Sequence, residues 1–275
     1  MILHSQNKTL ELGKKTLIMG ILNVTTDSFS DGGDYTDIDK AIRRAKEMIE
    51  QGADIIDIGG MSTRPGHEEI PIELEMERVI PVIKRIANEL DTIISIDTYR
   101  FQVAEEAMKN GAHIINDVWG LQFDNGEMAK VAKKYDAIVI AMHNQNGIEY
   151  KEDIMLSIKK FFKKTFEVAE KNELPKEKII IDPGIGFGKD INLNLEVLNR
   201  LNEIRDIAPI LLGASRKRFI GTILNGLPPK ERTEGTIATT IIGIEKGADI
   251  VRVHDVLENK RAALVADAII RKYKY

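Results

Sequence analysis

The chain has 275 residues, 43% of them hydrophobic and 30% charged, which excludes a disordered chain and allows a sizeable core. The net charge of -4 excludes a broad electrostatic attraction to nucleic acid or to an anionic membrane. Cysteine is absent, which excludes disulfides and thiolate nucleophiles. No segment resembles a signal peptide or membrane span, so we expect a cytoplasmic protein.

Short β-branched runs recur along the chain, and each is followed by a longer segment with helical periodicity, which is the pattern of repeated βαβ units. Before the first run, residues 8–12 form a possible strand, and we expect a small N-terminal hairpin that closes one end of the fold. Nearly continuous hydrophobicity in the later runs indicates parallel strands buried on both faces. Eight such strands are predicted, at residues 17–22, 54–58, 93–96, 114–116, 137–142, 179–181, 210–212 and 250–253.

Amphipathic helices are predicted between the strands, and the apolar stripe of each is expected to face the sheet. No linker or charge block divides the chain, so residues 1–275 are predicted to form a single domain. Eight uninterrupted units favour a (β/α)8 TIM barrel with the short hairpin, and an open doubly wound sheet is the alternative. The two clearest stripes are Ile154, Ile158, Phe161, Phe162, Thr165 and Phe166 in one helix, and Leu257, Leu264, Val265, Ala268 and Ile269 in the last.

Polar or glycine-rich residues follow all eight predicted strands, which is where a barrel of this kind carries its chemistry. Taken alone, each has an ordinary structural explanation, such as an aspartate that forms a turn before Pro-Gly. Their convergence at one end of the barrel nevertheless indicates a functional site. In chain order they are Asn23; Ser62, Thr63 and Arg64; Asp97; Asn116 and Asp117; Met142 and His143; Asp182; Ser215, Arg216 and Lys217; Arg252 and His254.

Two motif interpretations are rejected. In DPGIGFGKD, Pro183 and Asp190 occupy positions where a phosphate loop needs Gly and Ser or Thr, and Lys189 occupies the last Gly position of GxGxxG. The glycines instead favour close approach of the backbone to a ligand. His143 and His254 are not spaced as a pair on one helix, so no histidine-bound transition metal is expected.

The remaining polar residues divide into two groups. Asp97, Asn116 and Asp182 supply acceptors, which suit two parallel N–H donors such as those of a 2-aminopyrimidinone ring. The second group supplies donors and a hard oxygen ligand, as expected around a phosphate or pyrophosphate with Mg²⁺. Its members are Asn23, Thr63, Arg64, Arg252 and His254.

Seven sequence blocks resemble, in order and spacing, the signatures of the dihydropteroate synthase family: GILNVTTDSFSDGG, DIGGMSTRPG, SIDTYR, NDVWG, DPGIGFGK, ASRKRFIG and RVHDV. The resemblance covers nearly the whole chain. It implies a transferase of folate biosynthesis that joins 6-hydroxymethyl-7,8-dihydropterin pyrophosphate to p-aminobenzoate, forming 7,8-dihydropteroate and pyrophosphate. It also implies Mg²⁺ as cofactor, a homodimer formed through the last helices, and a sulfonamide target.

The resemblance assigns roles to residues of this chain. The catalytic set it implies is Asn23, Asp97, Lys217, Arg252 and His254, with Asn23 also the Mg²⁺ ligand. The pterin would contact Asp97, Asn116, Asp182 and Lys217, pack beside Met142 and Phe187, and stack on Arg252. The pyrophosphate would be held by Asn23, Thr63, Arg64, Arg252 and His254. The second substrate would lie against Phe29, Pro65, Phe187, Ser215 and Lys217, near Ser30, Asp31 and Val253.

A dissociative mechanism is expected, in which Asp97 stabilises an electron-poor methylene carbon and no protein nucleophile takes part. The chain departs from the family at Thr26, where proline is usual, at Met61, where glutamate is usual, and at MHNQNG, where the family has Met-Gln-Gly. These departures bear on loop order and replace no residue assigned above. Two rival interpretations are a methyltetrahydrofolate:corrinoid methyltransferase, which has no use for a pyrophosphate site, and a non-catalytic pterin-binding protein.

Overall fold

The structure, a computed structural model, describes residues 1–24, 34–61 and 69–273. Strands β1 (Ile2–Ser5) and β2 (Lys8–Glu11) pair antiparallel as a hairpin. Eight further strands form a closed barrel in the order β10-β3-β4-β5-β6-β7-β8-β9, and every neighbouring pair is parallel. They are β3 (Leu17–Asn23), β4 (Ile55–Gly59), β5 (Ile93–Asp97), β6 (Ile114–Asp117), β7 (Ile138–Met142), β8 (Ile179–Asp182), β9 (Ile210–Leu212) and β10 (Ala248–Val253).

Helices follow the barrel strands, and between β9 and β10 there are two of them. This arrangement confirms the predicted (β/α)8 barrel with an N-terminal hairpin, and the closed strand order excludes the open sheet. The helices are α1 (Asp34–Glu50), α2 (Ile72–Glu89), α3 (Phe101–Lys109), α4 (Glu127–Lys134), α5 (Ile154–Lys171), α6 (Ile191–Asn199), α7 (Arg218–Ile223), α8 (Thr233–Glu245) and α9 (Val256–Ile270).

The barrel strands alternate between two buried layers because successive side chains point to opposite faces of a strand. One set of positions, such as Ile56, Ile94 and Val139, packs with the helices in an outer apolar cluster. The other set faces the barrel interior. At the amino ends of the strands it forms an inner cluster, which the hairpin completes through Leu3, Leu10 and Leu12: Leu17, Met19, Ile55, Ile114, Ile138, Ile140, Ile180, Leu211 and Ile250.

The same alternation determines what the interior contains at the carboxyl ends. Two residues beyond Ile55 lies Asp57, and two beyond Ile250 lies Arg252, so polar side chains replace apolar ones within the barrel. The fold therefore stacks a polar layer on an apolar base, and the polar layer defines the site.

Helix α5 packs as predicted, since Ile154, Ile158 and Phe162 are all buried. The prediction for α9 was wrong about which face is buried. Val265 and Ile269, from the predicted stripe, are 62% and 74% exposed. No helix in the described ranges is long and apolar enough to cross a membrane.

Polar anchors explain the orientation of α9. Asp267 accepts hydrogen bonds from the backbone N–H of Thr16 at 2.6 Å and from its hydroxyl at 2.8 Å. Asn259 Oδ1 accepts from Thr240 Oγ1 of α8 at 2.7 Å. Buried polar groups require partners, so these contacts turn the Asn259 and Asp267 face inward and leave an apolar face outside.

Candidate active site

Arg252 lies at the centre of the polar layer. Its Nε donates to Asp57 Oδ2 and its Nη2 to Asp97 Oδ2, each at 2.6 Å. Asn116 Nδ2 donates to the same oxygen of Asp57 at 3.2 Å. Side chains from β4, β5, β6 and β10 thus form one network, in which removal of Arg252 would leave two buried carboxylates without the cation that they share.

Two carboxylate oxygens in this network, Asp57 Oδ1 and Asp97 Oδ1, are buried and have no hydrogen-bond partner among the described residues. The hydroxyl of Ser95, one inward position below Asp97, is in the same condition. An unsatisfied buried acceptor costs about 1–3 kcal/mol, so such atoms are exceptional in a folded protein. Their concentration in one layer indicates that N–H or O–H donors of a ligand complete it.

Burial raises the pKa of Asp97 to about 7, and Asp57 and Glu75 add to this effect, whereas Arg252 and Lys217 oppose it. The opposite holds for Arg252: burial alone would lower its pKa, but Asp57 and Asp97 raise it above the ordinary value. The network therefore places a permanently charged guanidinium beside a carboxyl group that titrates near neutrality. A carboxyl group in this condition interacts strongly with any positive charge that develops next to it.

Asp182 ends β8 and is held by the turn that follows it. Its Oδ1 accepts from the N–H of Gly184 at 2.8 Å. Burial raises the pKa of Asp182, although the Gly184 N–H, Lys217 and Arg252 each lower it. Gly184 has φ +70, and a Cβ at this position would lie 1.9 Å from the carbonyl oxygen of His143. The Pro-Gly turn is thus confined to glycine by its packing against the segment after β7, and the close approach to a ligand stays a prediction.

Apolar side chains and the cation Lys217 lie beside these carboxylates. Lys217 Nζ lies 4.2 Å from the centroid of the Phe187 ring, within range of a cation–π interaction. Phe187 and Met142 belong to one buried cluster with Met61, Tyr99 and Val118. This apolar rim cluster offers a planar ring a surface to pack against, next to hydrogen-bonding groups at its edge.

His254 and Ser215 connect the ends of β9 and β10. The backbone N–H of His254 donates to Ser215 Oγ at 3.2 Å, and the same hydroxyl lies 3.0 Å from His254 Nδ1. Lys217, two residues beyond Ser215, therefore extends from a segment that is tied to the following strand end.

The structure brings Asp97, Asp182, Lys217 and Arg252 together. The charges of Lys217 and Arg252 both lower the pKa of each of the two carboxyl groups, which requires that all four lie close to one another. Asn23 is at the end of β3, and its Oδ1 is near Asp97: a Cβ on Gly59 would lie 3.8 Å from Asn23 Oδ1 and 3.7 Å from Asp97 Oδ2. Six predicted substrate contacts are outside the described residues: Phe29, Ser30, Asp31, Thr63, Arg64 and Pro65.

One predicted contact does not reach the interior. Val253 alternates with Arg252, and its side chain packs in the outer cluster between the barrel and the helices. The structure therefore does not support a substrate contact from this side chain. Successive side chains of a strand point to opposite faces, so Val253 and Arg252 cannot both face the interior.

Two site residues were missed at the sequence level. Asp57 binds Arg252 directly, but it interrupts an apolar run instead of following one, and the signal was its even spacing from Ile55. Lys189 entered the sequence analysis only as the residue that rules out a GxGxxG motif, yet it is buried behind the turn that follows Asp182. A charged residue inside an otherwise apolar segment is itself a signal, since burial of a charge needs a partner.

The donor set can be tested for Mg²⁺. Among the described residues, no three His, Asp or Glu side chains converge to hold a metal. The rim nevertheless carries the amide oxygen of Asn23, and both Asn23 and Asp97 adjoin Gly59. Mg²⁺ commonly takes one or two protein oxygens and completes its shell with water and substrate phosphates. The residues therefore fit a metal ion that binds together with a phosphorylated ligand.

Comparison with known proteins agrees with this geometry. Residues 19–254 match the family described as pterin binding enzyme. A dihydropteroate synthase from Clostridium beijerinckii is 53% identical and aligns over 97% of this chain and 98% of its own. Among solved structures, dihydropteroate synthase from Clostridium difficile in the presence of pteroic acid has a TM-score of 0.93 and 60% identity, covering 95% of this chain and 99% of that one. The Yersinia pestis dihydropteroate synthase with a sulfonamide drug has a TM-score of 0.91 and 39% identity, covering 98% and 99%.

The chain therefore belongs to the pterin binding enzyme family. Relatives that align over nearly their whole length, such as those from Clostridium beijerinckii and Bacillus subtilis, are dihydropteroate synthases, and the chain groups with them as a transferase of this type. The corrinoid methyltransferase and the non-catalytic binding protein are not favoured.

Proposed function

We propose that the protein condenses 6-hydroxymethyl-7,8-dihydropterin pyrophosphate with p-aminobenzoate to give 7,8-dihydropteroate and pyrophosphate. The observation that carries this proposal is the polar layer itself: carboxylate oxygens of Asp57 and Asp97 that have no hydrogen-bond partner in the described ranges lie beside the cations Arg252 and Lys217. Acceptors suit the N–H edge of the pterin, and cations suit its diphosphate. The structure of the Clostridium difficile relative in the presence of pteroic acid supports a pterin as the ligand.

Ring binding divides between hydrogen bonds and packing. Asp182 and Asn116 would accept the N–H donors of the amino-pyrimidine edge, and bonds made by Gly184 and Asp57 already orient these two side chains. The ring would pack against Met142 and Phe187 in the apolar rim cluster. Preorganised acceptors and a preformed apolar surface reduce the ordering that binding requires.

The chemistry we infer is dissociative. The bond between the methylene carbon and the diphosphate oxygen breaks, and the positive charge that develops on the carbon is stabilised by the buried Asp97. Arg252 and His254 would hold the departing pyrophosphate, while the amine of p-aminobenzoate attacks the carbon and loses its proton. Mg²⁺, held in part by Asn23 when bound, supplies charge neutralisation to the diphosphate oxygens. The apolar rim cluster limits the water that could trap the carbon in place of the amine.

A direct assay tests the proposal. The purified protein is incubated with both substrates and Mg²⁺, and pyrophosphate and 7,8-dihydropteroate are measured together. Equal amounts of both products, each requiring both substrates, are expected. Pyrophosphate without dihydropteroate would identify a hydrolase. Calorimetric binding of the pterin pyrophosphate without any product would identify a binding protein, and either result would overturn the proposal.

The same reasoning extends to inhibitors. We infer that sulfonamides compete with p-aminobenzoate, supported by the sulfonamide complex of the Yersinia pestis relative. A higher concentration of p-aminobenzoate should then restore the rate without changing its maximum. A lower maximum at saturating p-aminobenzoate would count against competition at this site.

We also propose a homodimer formed through α8 and α9. The outward face of these helices is apolar, and such faces on a folded protein commonly mark an interaction surface. Sedimentation velocity should show a dimer, and Ile269→Lys should convert it to a folded monomer. The large apolar residues exposed on α8 and α9 are Ile241, Ile242, Val265, Ile269 and Ile270. The single-domain organisation and the cytoplasmic location stay predictions.

A further inference from the structure

Lys189 is a buried charge that the proposed chemistry does not use. It is 7% exposed and lies behind the turn that follows β8. Its Nζ is 2.9 Å from His143 Nδ1, 3.0 Å from the carbonyl oxygen of Gly184 and 3.0 Å from that of Phe187. A charged group is rarely buried to this extent unless its contacts hold something in place.

These three contacts define the protonation of both partners. An ammonium group has three N–H donors and no acceptor, so the three oxygen and nitrogen atoms around Lys189 must all accept. At a pH below the pKa of Lys189, where the ammonium form is present, His143 Nδ1 is therefore unprotonated, and the proton of the neutral ring is on Nε2. Burial, with Lys189 adding to it, lowers the pKa of His143 well below its ordinary value, which agrees with a neutral ring.

The groups that face Lys189 come from three elements. His143 follows β7, Asp182 ends β8, and Lys217 extends from the segment after β9. Burial lowers the pKa of Lys189 to about 7, Asp182 raises it, and Lys217 lowers it further. The hydroxyl of Tyr150 donates to the carbonyl of Gly188 at 2.9 Å. This bond connects Gly188, the residue before Lys189, to the segment after β7.

The carbonyl groups that Lys189 binds belong to a turn with two tasks in the site. The N–H of Gly184 donates to Asp182 Oδ1 at 2.8 Å. The N–H of Phe187 donates to the carbonyl of Gly184 at 3.1 Å, and the Phe187 ring supports Lys217 at 4.2 Å. The position of the turn therefore affects both the carboxylate and the aromatic surface assigned to the pterin.

We propose that the Lys189 ammonium positions the pterin-binding site, by tying the turn of residues 184–187 to His143 and so holding Asp182 and Phe187 in place. This inference rests on the proposed function for its ligand, but the contact between Lys189 and His143 does not. Lys189 touches no reacting atom, so its role is positioning. A lysine that merely stabilised the fold would affect unfolding without a selective effect on the pterin.

The test compares Lys189→Met, which keeps the unbranched side chain but removes the ammonium group, with Lys189→Arg, which keeps the charge. Lys164→Met, on the exposed face of α5, is the matched control. Affinity for 6-hydroxymethyl-7,8-dihydropterin pyrophosphate is measured by calorimetry without p-aminobenzoate, and kcat at saturating substrates and Tm are measured in parallel. For Lys189→Met we expect an increase in Kd of about tenfold or more, a change in kcat below about threefold, and partial recovery of affinity in Lys189→Arg.

A pterin Kd equal to that of wild type in folded, active Lys189→Met would overturn the proposal, as would equal losses in Kd and kcat without recovery by arginine. If Lys189→Met does not fold, the proposal is tested instead in the wild-type protein, by measuring which ring nitrogen of His143 carries the proton. The chain has five histidines, and a His143→Asn variant assigns the resonance. Nitrogen NMR should show Nδ1 unprotonated at pH 6, and a proton on Nδ1 would overturn the proposal.

The two proposals fail in different ways. Wild-type protein that neither binds the pterin nor releases pyrophosphate would contradict the proposed function, whatever the state of His143. Wild-type protein that turns over, beside a Lys189→Met variant with unchanged pterin affinity, would contradict the positioning role alone.

Discussion

The same eight strands begin at one end of the barrel interior and finish at the other, but the polar groups at the two ends are bonded in opposite ways. At the hairpin end, Ser5 Oγ donates to the carbonyl of His113 at 2.6 Å, and His113 Nδ1 accepts from the N–H of Ile94 at 3.1 Å. At the carboxyl end, Asp57 and Asp97 each keep a buried oxygen without a partner in the described part of the chain. Ser5 and His113 at the hairpin end are hydrogen-bonded within the protein, whereas the two aspartates at the carboxyl end each keep an acceptor that a ligand could use.

Substitutions at the two ends of the barrel are therefore expected to change different properties of the protein. The hairpin covers an inner cluster of leucine and isoleucine, so substitutions there should reduce the free energy of unfolding and leave substrate constants unchanged. The polar layer holds buried charges whose cost the fold must offset, so substitutions there should reduce turnover without a matching loss of stability.

The largest effect is expected for Asp97→Ala. The loss of the buried charge should lower kcat by about 100-fold to 1,000-fold and raise the pterin Kd by less than about tenfold, because the charge acts mainly on the transition state. Steady-state kinetics and calorimetry measure the two quantities. Equal losses in both would contradict a transition-state role.

Asp117 provides the matched control for Asp97. It is also a buried strand-end carboxylate, but it accepts from the N–H groups of Trp119 at 2.9 Å and Leu121 at 2.7 Å. Because its bonds are internal, Asp117→Asn should lower Tm and leave kcat within about threefold of wild type.

A smaller effect is expected at Arg216, whose φ of 57 is unusual for a side chain of its size. Its Nε donates to Asp255 Oδ2 at 3.0 Å and its Nη2 to the other oxygen of the same carboxylate. This ion pair joins the segments that carry Lys217 and His254, so Asp255→Asn should lower kcat/KM by about tenfold.

A double-mutant cycle sharpens this prediction. If the two residues act through one contact, Arg216→Met combined with Asp255→Asn should be about as impaired as either single variant. Arg200→Met, in an exposed ion pair with Asp153, is the control and should change kcat/KM little. Additive losses in the cycle would show that Arg216 and Asp255 act separately.

At the hairpin end, the expected effect is on stability alone. Burial lowers the pKa of His113 to about 4, and Lys8 adds to this shift. The unfolded chain, with a histidine pKa near 6.5, then binds more protons between pH 4 and 6.5. The free energy of unfolding should therefore fall, by about 3 kcal/mol, as the pH drops through this window.

Urea denaturation at several pH values measures this fall. His113→Asn keeps an acceptor for the N–H of Ile94 without a titrating ring, so its stability should depend less on pH than that of wild type. The variant should retain wild-type KM values at pH 7. The same pH dependence in both proteins would show that other groups govern acid unfolding.

Much of this architecture follows from the sequence because parallel strands buried on both faces read as apolar runs. All eight predicted strands are present, with ends shifted by one or two residues, and the rim residues are those that follow them. Asp57 was missed because it lies within a run, and the face of α9 was wrong because its polar anchors, Thr16 and Thr240, are distant in sequence. Lys189 could not be placed, since its partners come from another strand end and from the turn itself.

The alternation within the barrel strands has a consequence for variation in chain length. Deletion of one residue ahead of Asp57 in β4 would turn this carboxylate toward the helices and bring an isoleucine into the polar layer. The same one-residue shift in β10 would turn Arg252 away from the interior. Insertions and deletions that preserve activity are therefore confined to the connecting segments. New loops grafted onto this scaffold should leave unchanged which residues of each strand face the barrel interior.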